Sequence, residues 1–241
     1  MENWQARSEL LLGVKTLDSF KNRRVAVVGL GGVGSAAAEM LARSGIGNLL
    51  LLDSDVVNLT NKNRQLIALE STLGKSKCEV MASRLKDINP EINILEVKEF
   101  LTEENVDLLI SGFSPEYIVD AIDTLSPKIS LIKFALKNSI PVISSMGAGA
   151  KFDGTKLRIT DISKSFNCPL AYMLRKRLSK EGVKRGFRVV FSEELPVSEA
   201  IVPVQEQNKK SMAGTVSYLP VIFGALCAQE VICQLAGEGK Y

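Results

Sequence analysis

Residues 25–34 read Val-Ala-Val-Val-Gly-Leu-Gly-Gly-Val-Gly, and Asp53 closes the next apolar run. Few chain paths satisfy this pattern. A β-branched run must enter as a buried strand, turn sharply on glycine, and leave as a helix. Residues 25–28 supply the strand and residues 32–44 the helix, which Gly45 closes. Residues 49–52 supply a second buried strand, which completes a βαβ unit. Gly29 permits the tight turn, and Gly31 and Gly32 let a phosphate approach the backbone. Gly34 completes the G-x-G-x-x-G spacing. The helix N-terminus adds unpaired N–H groups and partial positive charge. Asp53, nineteen residues beyond Gly34, is placed to accept hydrogen bonds from ribose hydroxyls.

The remaining pattern extends this unit. Residues 8–20 read as one amphipathic helix with Leu10, Leu11, Val14, Leu17 and Phe20 on one side. Helices are expected at 75–89 and 127–137, with strands at 92–97, 117–122 and 141–145. Alternating strands and helices imply an α/β, Rossmann-like fold, a mostly parallel sheet with helices on both faces. From residue 151 the pattern changes to an antiparallel extension. A strand is expected at 156–160, a helix at 169–180 and a strand at 187–192. A polar mobile loop at 193–213 follows, then a closing helix at 216–235. The apolar stretch 219–228 is too short for a bilayer span and reads as a core helix. The N-terminus has no signal-peptide pattern.

Composition removes several chemistries. The chain has 241 residues and no histidine, so Ser-His-Asp and Cys-His devices are excluded. Cys78, Cys168, Cys227 and Cys233 show no CxxC pair, so no zinc site is expected. They read as reduced thiols of a cytoplasmic protein. The net charge of +3 is too small to imply nucleic acid by itself. Its distribution is uneven, however. Lys164, Arg175, Lys176, Arg177, Lys180, Lys184, Arg185 and Arg188 cluster with Glu181 as the one acid among them. Such a cluster suits a phosphate backbone or a solvated helix face.

The glycine turn alone serves NAD as well as ATP. The segment after Asp53 separates them, because Asn58, Asn61, Lys62, Asn63, Arg64 and Gln65 crowd cations and amides next to the ribose acid. Hydride transfer has no need of so many phosphate partners.

Residues 53–65, 73–77 (Leu-Gly-Lys-Ser-Lys), 88–91 (Ile-Asn-Pro-Glu) and 120–123 (Asp-Ala-Ile-Asp) resemble the adenylating family of ubiquitin-activating enzymes. Its bacterial members include the activators of the molybdopterin and thiamine sulfur carriers. The likeness covers most of residues 5–150. Further segments resemble the branch of that family that dehydrates N6-threonylcarbamoyladenosine in tRNA. These are Arg7-Ser-Glu-Leu-Leu-Leu-Gly, Pro127-Lys128, Gly147-Ala-Gly, Ile159-Thr-Asp-Ile and Asn167-Cys-Pro-Leu-Ala.

The resemblance implies one adenylating domain over 1–241, with an ATP-binding half at 1–150 and a substrate-binding extension at 151–241. Arg64 and Lys77 would hold the triphosphate, and Asn61 would stand on its phosphate or metal side. Asp55 and Gln65 would line the same site, and Asp123 would organise Mg2+ from the end of its strand. Arg7 would reach a neighbouring subunit's ATP, which requires a homodimer. The basic cluster, through Arg175, Arg177, Lys184 and Arg185, would meet tRNA. A sulfur-transfer protein stays open as a partner. The implied reaction is ATP-dependent cyclisation of the tRNA nucleoside through carboxylate adenylation. The competing activity is adenylation of a sulfur carrier's C-terminus, which the missing CxxC pairs disfavour. A non-catalytic nucleotide-binding module and a nicotinamide oxidoreductase are the readings from other classes.

Overall fold

A computed structural model describes residues 3–206 and 209–237. Its centre is a seven-stranded sheet built from β1 (Arg24–Val28), β2 (Asn48–Leu52), β3 (Asn93–Val97), β4 (Tyr117–Asp120), β5 (Val142–Ser145), β6 (Leu157–Asp161) and β7 (Arg188–Ser192). The spatial order is β3-β2-β1-β4-β5-β7-β6. The pairs β1–β2, β1–β4, β2–β3, β4–β5 and β5–β7 are parallel. The edge strand β6 is antiparallel to β7. The chain progresses outward from β1 in one direction and then restarts at β4 on its other side. That reversal opens a crevice at the carboxyl ends of β1 and β4, the usual ligand position in such sheets.

Two apolar layers enclose the sheet. On one face, Leu17 and Phe20 of α2 (Val14–Phe20) join α3 (Gly32–Arg43), α4 (Lys77–Ile88) and α8 (Tyr218–Ala236) around Val25, Val27, Leu49 and Leu51. On the other, α5 (Val106–Ile110), α6 (Leu125–Lys137) and α7 (Pro169–Ser179) cover Ala26, Val28, Leu50 and Ile118. Strands with both faces covered read as continuous apolar runs, as Val-Ala-Val-Val and Leu-Leu-Leu-Leu do here.

The α3–α8 contact depends on small residues. A Cβ on Gly224 would sit 2.3 Å from the Val33 carbonyl oxygen and 2.7 Å from Ala36 Cβ. Alanines 36, 37 and 38 are fully buried, so the two helices meet nearly backbone to backbone. By length and composition α8 is apolar enough to cross a membrane. Here its buried side, including Leu219, Phe223, Cys227 and Val231, belongs to the core against α3 and the sheet.

Several sequence expectations are corrected. The helix expected over 8–20 is two, α1 (Ala6–Leu12) and α2, broken at Gly13 with φ +82. α1 buries no side chain. The strand expected to reach residue 122 ends at Asp120. The loop expected over 193–213 contains an antiparallel ribbon, β8 (Ile201–Glu206) with β9 (Lys209–Ala213). A two-stranded ribbon off the main sheet has no core that would impose alternation, and Pro203 interrupts what alternation there is. α5 is not visible in the sequence pattern, because five residues are too few to display a helical period.

Among the described glycines, the one at the turn after β1, Gly34, leaves the least room for a side chain. A Cβ on Gly34 would lie 1.7 Å from the Gly29 carbonyl oxygen, a backbone atom that cannot swing away. Gly34→Ala is therefore expected to destabilise the protein by about 3 kcal/mol, the upper end for overpacking. Gly112→Ala, where nothing lies within 4 Å, is the control expected to cost little. Urea unfolding of both variants checks this.

Candidate active site

The crevice is assembled from the turns that follow β1, β2 and β4. Gly29, at φ +89, turns the chain after β1, and Gly31 serves as the N-cap of α3. Asp53, immediately after β2, reaches back under this turn. Its Oδ2 accepts a hydrogen bond from the Leu30 N–H at 2.6 Å, and its Oδ1 accepts from the Asp55 N–H at 2.8 Å. Burial raises the Asp53 carboxyl above the ordinary aspartate range, opposed by Lys77 and by these two N–H donors. A largely covered acid aimed at a glycine turn is a costly arrangement, of the kind that clusters at functional sites.

Lys77 is 5% exposed and opens α4. Its Nζ lies 2.6 Å from Asp55 Oδ2 and 3.8 Å from Asp53 Oδ1. A cation in the first turn works against the helix dipole. Two carboxylates offset that cost here. Asp55, expected to line the ligand site, thus holds Lys77 in place. The Val57 N–H bond to the Lys75 carbonyl and the Gly74 N–H bond to the Val57 carbonyl, both 2.9 Å, pin the two loops together.

The segment from Asn58 to Gln65 forms the outer wall. Asn61 is buried, and its Oδ1 accepts the Asn58 N–H at 3.1 Å, so its carbonyl end shapes the loop. Arg64 Nη1 donates to the Thr60 carbonyl and to Asn63 Oδ1, each at 2.9 Å. Gln65 is 7% exposed, and its Oε1 is buried without a hydrogen-bond partner. Its Nε2 is the nearest atom to a Cβ built on Gly31, at 3.9 Å. The space over Gly31 is therefore open, and an unused acceptor sits beside it. Both features fit a nucleotide laid over the turn. Lys62, Asn63, Arg64, Gln65 and Leu66 face Ser217, Tyr218 and Val221 across an open cleft of about 270 Å³. Gly32 closes its floor, since a Cβ there would meet Pro220 at 2.8 Å and the Arg64 carbonyl at 3.0 Å.

Asp123 lies three residues past the end of β4, on the turn leading to α6, and is exposed. This corrects its expected place on the strand. The residue at the strand end is Asp120, which is fully buried and ion-paired to Lys128 Nζ at 2.6 Å. Ser144 Oγ donates to Asp120 Oδ2 at 2.6 Å and accepts from Lys128 at 3.1 Å. The Ile122 N–H donates to Asp120 Oδ1 at 3.1 Å. This closed network sets the turn that carries Asp123. Sequence reasoning gave Asp120 and Lys128 no role. A signal existed: Lys128 falls on the apolar stripe of Leu131, Ile132 and Ala135, where a lysine requires a buried partner.

Other expected site residues lie elsewhere. Arg7 is exposed on α1, away from this crevice in the same chain. Arg177, Lys184 and Arg185 are exposed at the carboxyl end of α7 and in the turn beyond it. Arg175 departs from expectation, because its guanidinium donates to the Ser165 carbonyl at 2.8 Å and to the Ser165 hydroxyl. Arg188 pairs with Glu230 at 3.0 Å. No group of three or more His, Cys, Asp or Glu side chains suited to a metal occurs among the described residues.

Removing one partner of the buried pair would strand the other as an uncompensated charge. Lys128→Met is expected to cost about 3–5 kcal/mol in unfolding free energy. A guanidinium unfolding curve measures it, and an unchanged midpoint would contradict the network's role.

Comparison with known proteins places this geometry. Residues 5–241 match the ThiF family. The chain is 50% identical over 192 residues to the tRNA threonylcarbamoyladenosine dehydratase of Bacillus subtilis, covering 80% of this chain and 75% of that one. It is 45% identical over 192 residues to the Escherichia coli enzyme of the same name, covering 76% and 71%. The crystal structure of the Escherichia coli dehydratase in complex with ATP superposes with a TM-score of 0.89 at 36% identity, covering 99% of each chain. The Escherichia coli molybdopterin-synthase adenylyltransferase is 31% identical over 223 residues, covering 92% of this chain and 77% of that one. The seven-stranded Rossmann-like sheet, the glycine turn over Asp53 and this match over nearly the whole chain lead to one assignment: the protein belongs to the ThiF family.

Proposed function

We propose that this protein is an ATP-dependent dehydratase of N6-threonylcarbamoyladenosine in tRNA, acting by adenylating the threonyl carboxylate. What supports the reading is Asp53 bonded to the glycine turn at the strand-order reversal, with Lys77 Nζ 3.8 Å from it and the Arg64 backbone packed against Gly32. The likeness to dehydratases from two bacteria supports the choice of substrate.

The chemistry suits a chain without histidine. A carboxylate oxygen of the substrate attacks the α-phosphorus, and the bond to pyrophosphate breaks. The attacking group is already an anion, so no base is needed for this step. The obstacle is electrostatic, because an anion approaches a polyanion. Lys77 and Arg64 are the cations that offset it, and Asp53 holds the ribose. A group on the substrate itself then attacks the activated acyl carbon. AMP leaves with the former carboxylate oxygen, and the ring closes with net loss of water. No cysteine is required as a nucleophile. Mg2+ bound to the triphosphate would neutralise charge on the leaving group. Such an ion commonly takes one or two protein carboxylates, and Asp123 on its turn fits that need.

Two further roles belong to this reading. The exposed surface at the end of α7, through Arg177, Lys184 and Arg185, would meet the tRNA backbone, consistent with the substrate and a cytoplasmic setting. Trp4, Leu10, Leu11 and Val14 are exposed around an open groove of about 390 Å³ that Leu10, Gly13 and Val14 line. A second copy docked on that face would bury them and carry its own Arg7 toward this chain. The likeness to a molybdopterin-synthase adenylyltransferase keeps sulfur-carrier activation as the alternative activity.

Digested tRNA incubated with enzyme and MgATP should contain the threonylcarbamoyl nucleoside short of one water by mass. Unchanged nucleoside would sink the substrate assignment. Arg64→Ala should slow the conversion by about 10²–10³-fold, as loss of one preorganised charge does elsewhere. Full activity in Asp123→Ala would remove the proposed magnesium role.

A further inference from the structure

The loop from Ala150 to Gly154, beyond the carboxyl end of β5, carries an aromatic ring that the core does not use. Phe152 is 58% exposed, yet its peptide groups are fixed on both sides. Its N–H donates to Glu194 Oε1 at 3.1 Å, and its carbonyl accepts from the Tyr218 hydroxyl at 2.7 Å. The Asp153 N–H and the Ser192 hydroxyl donate to Glu194 Oε2 at 3.0 and 3.1 Å, so the clamping carboxylate is itself held. A Cβ on Gly154 would stand 2.6 Å from Ile222 Cδ1, which puts the loop directly against α8. Leaving an aromatic ring in water forfeits the stabilisation that its burial would bring. Here the backbone beneath the exposed ring is nonetheless braced.

Tyr218 joins this loop to the nucleotide cleft. It opens α8 and lines the cleft with Arg64 and Gln65, while its hydroxyl holds the Phe152 carbonyl. One side chain thus connects the cleft wall to the peptide that bears the ring. Two more exposed apolar side chains lie around the exit of β7. Leu195 follows the clamping Glu194, and Phe166 stands edge-on to Phe191 with ring centroids 5.2 Å apart. Asn167, beside Phe166, donates from Nδ2 to the Glu193 carbonyl at 2.8 Å. Scattered exposed apolar residues are ordinary, whereas several gathered round one strand exit and tied to a cleft mark a contact surface.

We propose that Phe152 is the stacking platform for the purine base of the substrate nucleoside, which leaves the RNA stack to reach it. The inference rests on the dehydratase reading and names where the base is held. In that reading the reacting carboxylate is borne on the base's exocyclic nitrogen and must reach the α-phosphate. The base therefore sits within one short side-chain length of the cleft, which is where Tyr218 fixes the Phe152 loop. A phenyl ring offers a flat apolar face and no hydrogen-bonding group, so it holds a base by stacking and does not read its edge. Enzymes that act on a base take it out of the stack and hold it against aromatic or apolar side chains. A platform braced before binding also loses little conformational entropy when the base arrives.

Two measurements on the intact chain separate the platform from the activity. With tRNA bearing the threonylcarbamoyl nucleoside, Phe152→Ala should lower kcat/KM for tRNA by about 5–150-fold, the loss that one base–aromatic stack brings elsewhere. Phe152→Trp should keep most of the activity, Phe152→Leu should not, and the KM for ATP should match wild type in all three. A leucine variant as active as the tryptophan one, or an undiminished alanine variant, overturns the platform and leaves the dehydratase assignment standing. The second readout needs no turnover. Trp4 is the chain's single tryptophan, so the fluorescence of Phe152→Trp less that of wild type reports on residue 152. The same tRNA should quench that difference signal, and a signal unchanged across the titration overturns the platform. Quenching with no conversion by wild type would keep the platform and overturn the dehydratase assignment instead.

Discussion

The contact between Gly34 and the Gly29 carbonyl is the constraint from which the site follows. It presses the first turn of α3 onto the end of β1, leaving no room for even a methyl group. With the helix held there, its N-terminal N–H groups point into the crevice between β1 and β4. Asp53 then reaches the Leu30 N–H, and Gly32 can seat against both Pro220 and the Arg64 carbonyl. One turn thereby brings together three distant segments: Asp53, the loop bearing Arg64 and the closing helix. The small-residue contact of Gly224 against Val33 extends the same close packing along α3.

Charge placement in the crevice runs against local stability. Lys77 opposes a helix dipole, Asp53 is a largely covered carboxylate, and Gln65 leaves an acceptor unused. Each would be costly in a purely structural setting. Together they mark the crevice as a place where local stability has been given up, as at functional sites. The buried Asp120–Lys128–Ser144 network is the contrast: its Lys and Ser groups satisfy Asp120 internally, and its task is to fix the turn bearing Asp123. Lys151 is a third kind, a buried amine with no hydrogen-bond partner.

The parts legible in the sequence were those with strong periodicity or strict backbone demands. The β1–α3–β2 unit, the buried strands and the closing helix all announce themselves by apolar runs or glycine spacing. The break at Gly13 was hidden because the apolar stripe continues through it on both sides. The β8–β9 ribbon was hidden because neither of its faces must be apolar. Asp120 was overlooked beside Asp123, since a carboxylate's burial depends on where the strand ends, and Lys128 supplies the partner from eight residues away. Arg175 shows the limit of charge counting, because a cation within a basic cluster can still be spent on a backbone carbonyl and a serine. Gln65 and Asn61 were placed in the site from motif, but which of their amide ends is in use appears only in three dimensions.

The central claim is that the cations around the glycine turn serve attack at the α-phosphate. Substrate tRNA bearing oxygen-18 in the threonyl carboxylate tests it most directly. If the carboxylate is adenylated and the ring closes on the acyl carbon, the label appears in AMP, and pyrophosphate is unlabelled. Label recovered in inorganic phosphate alongside ADP would place the attack at the γ-phosphate and contradict the account.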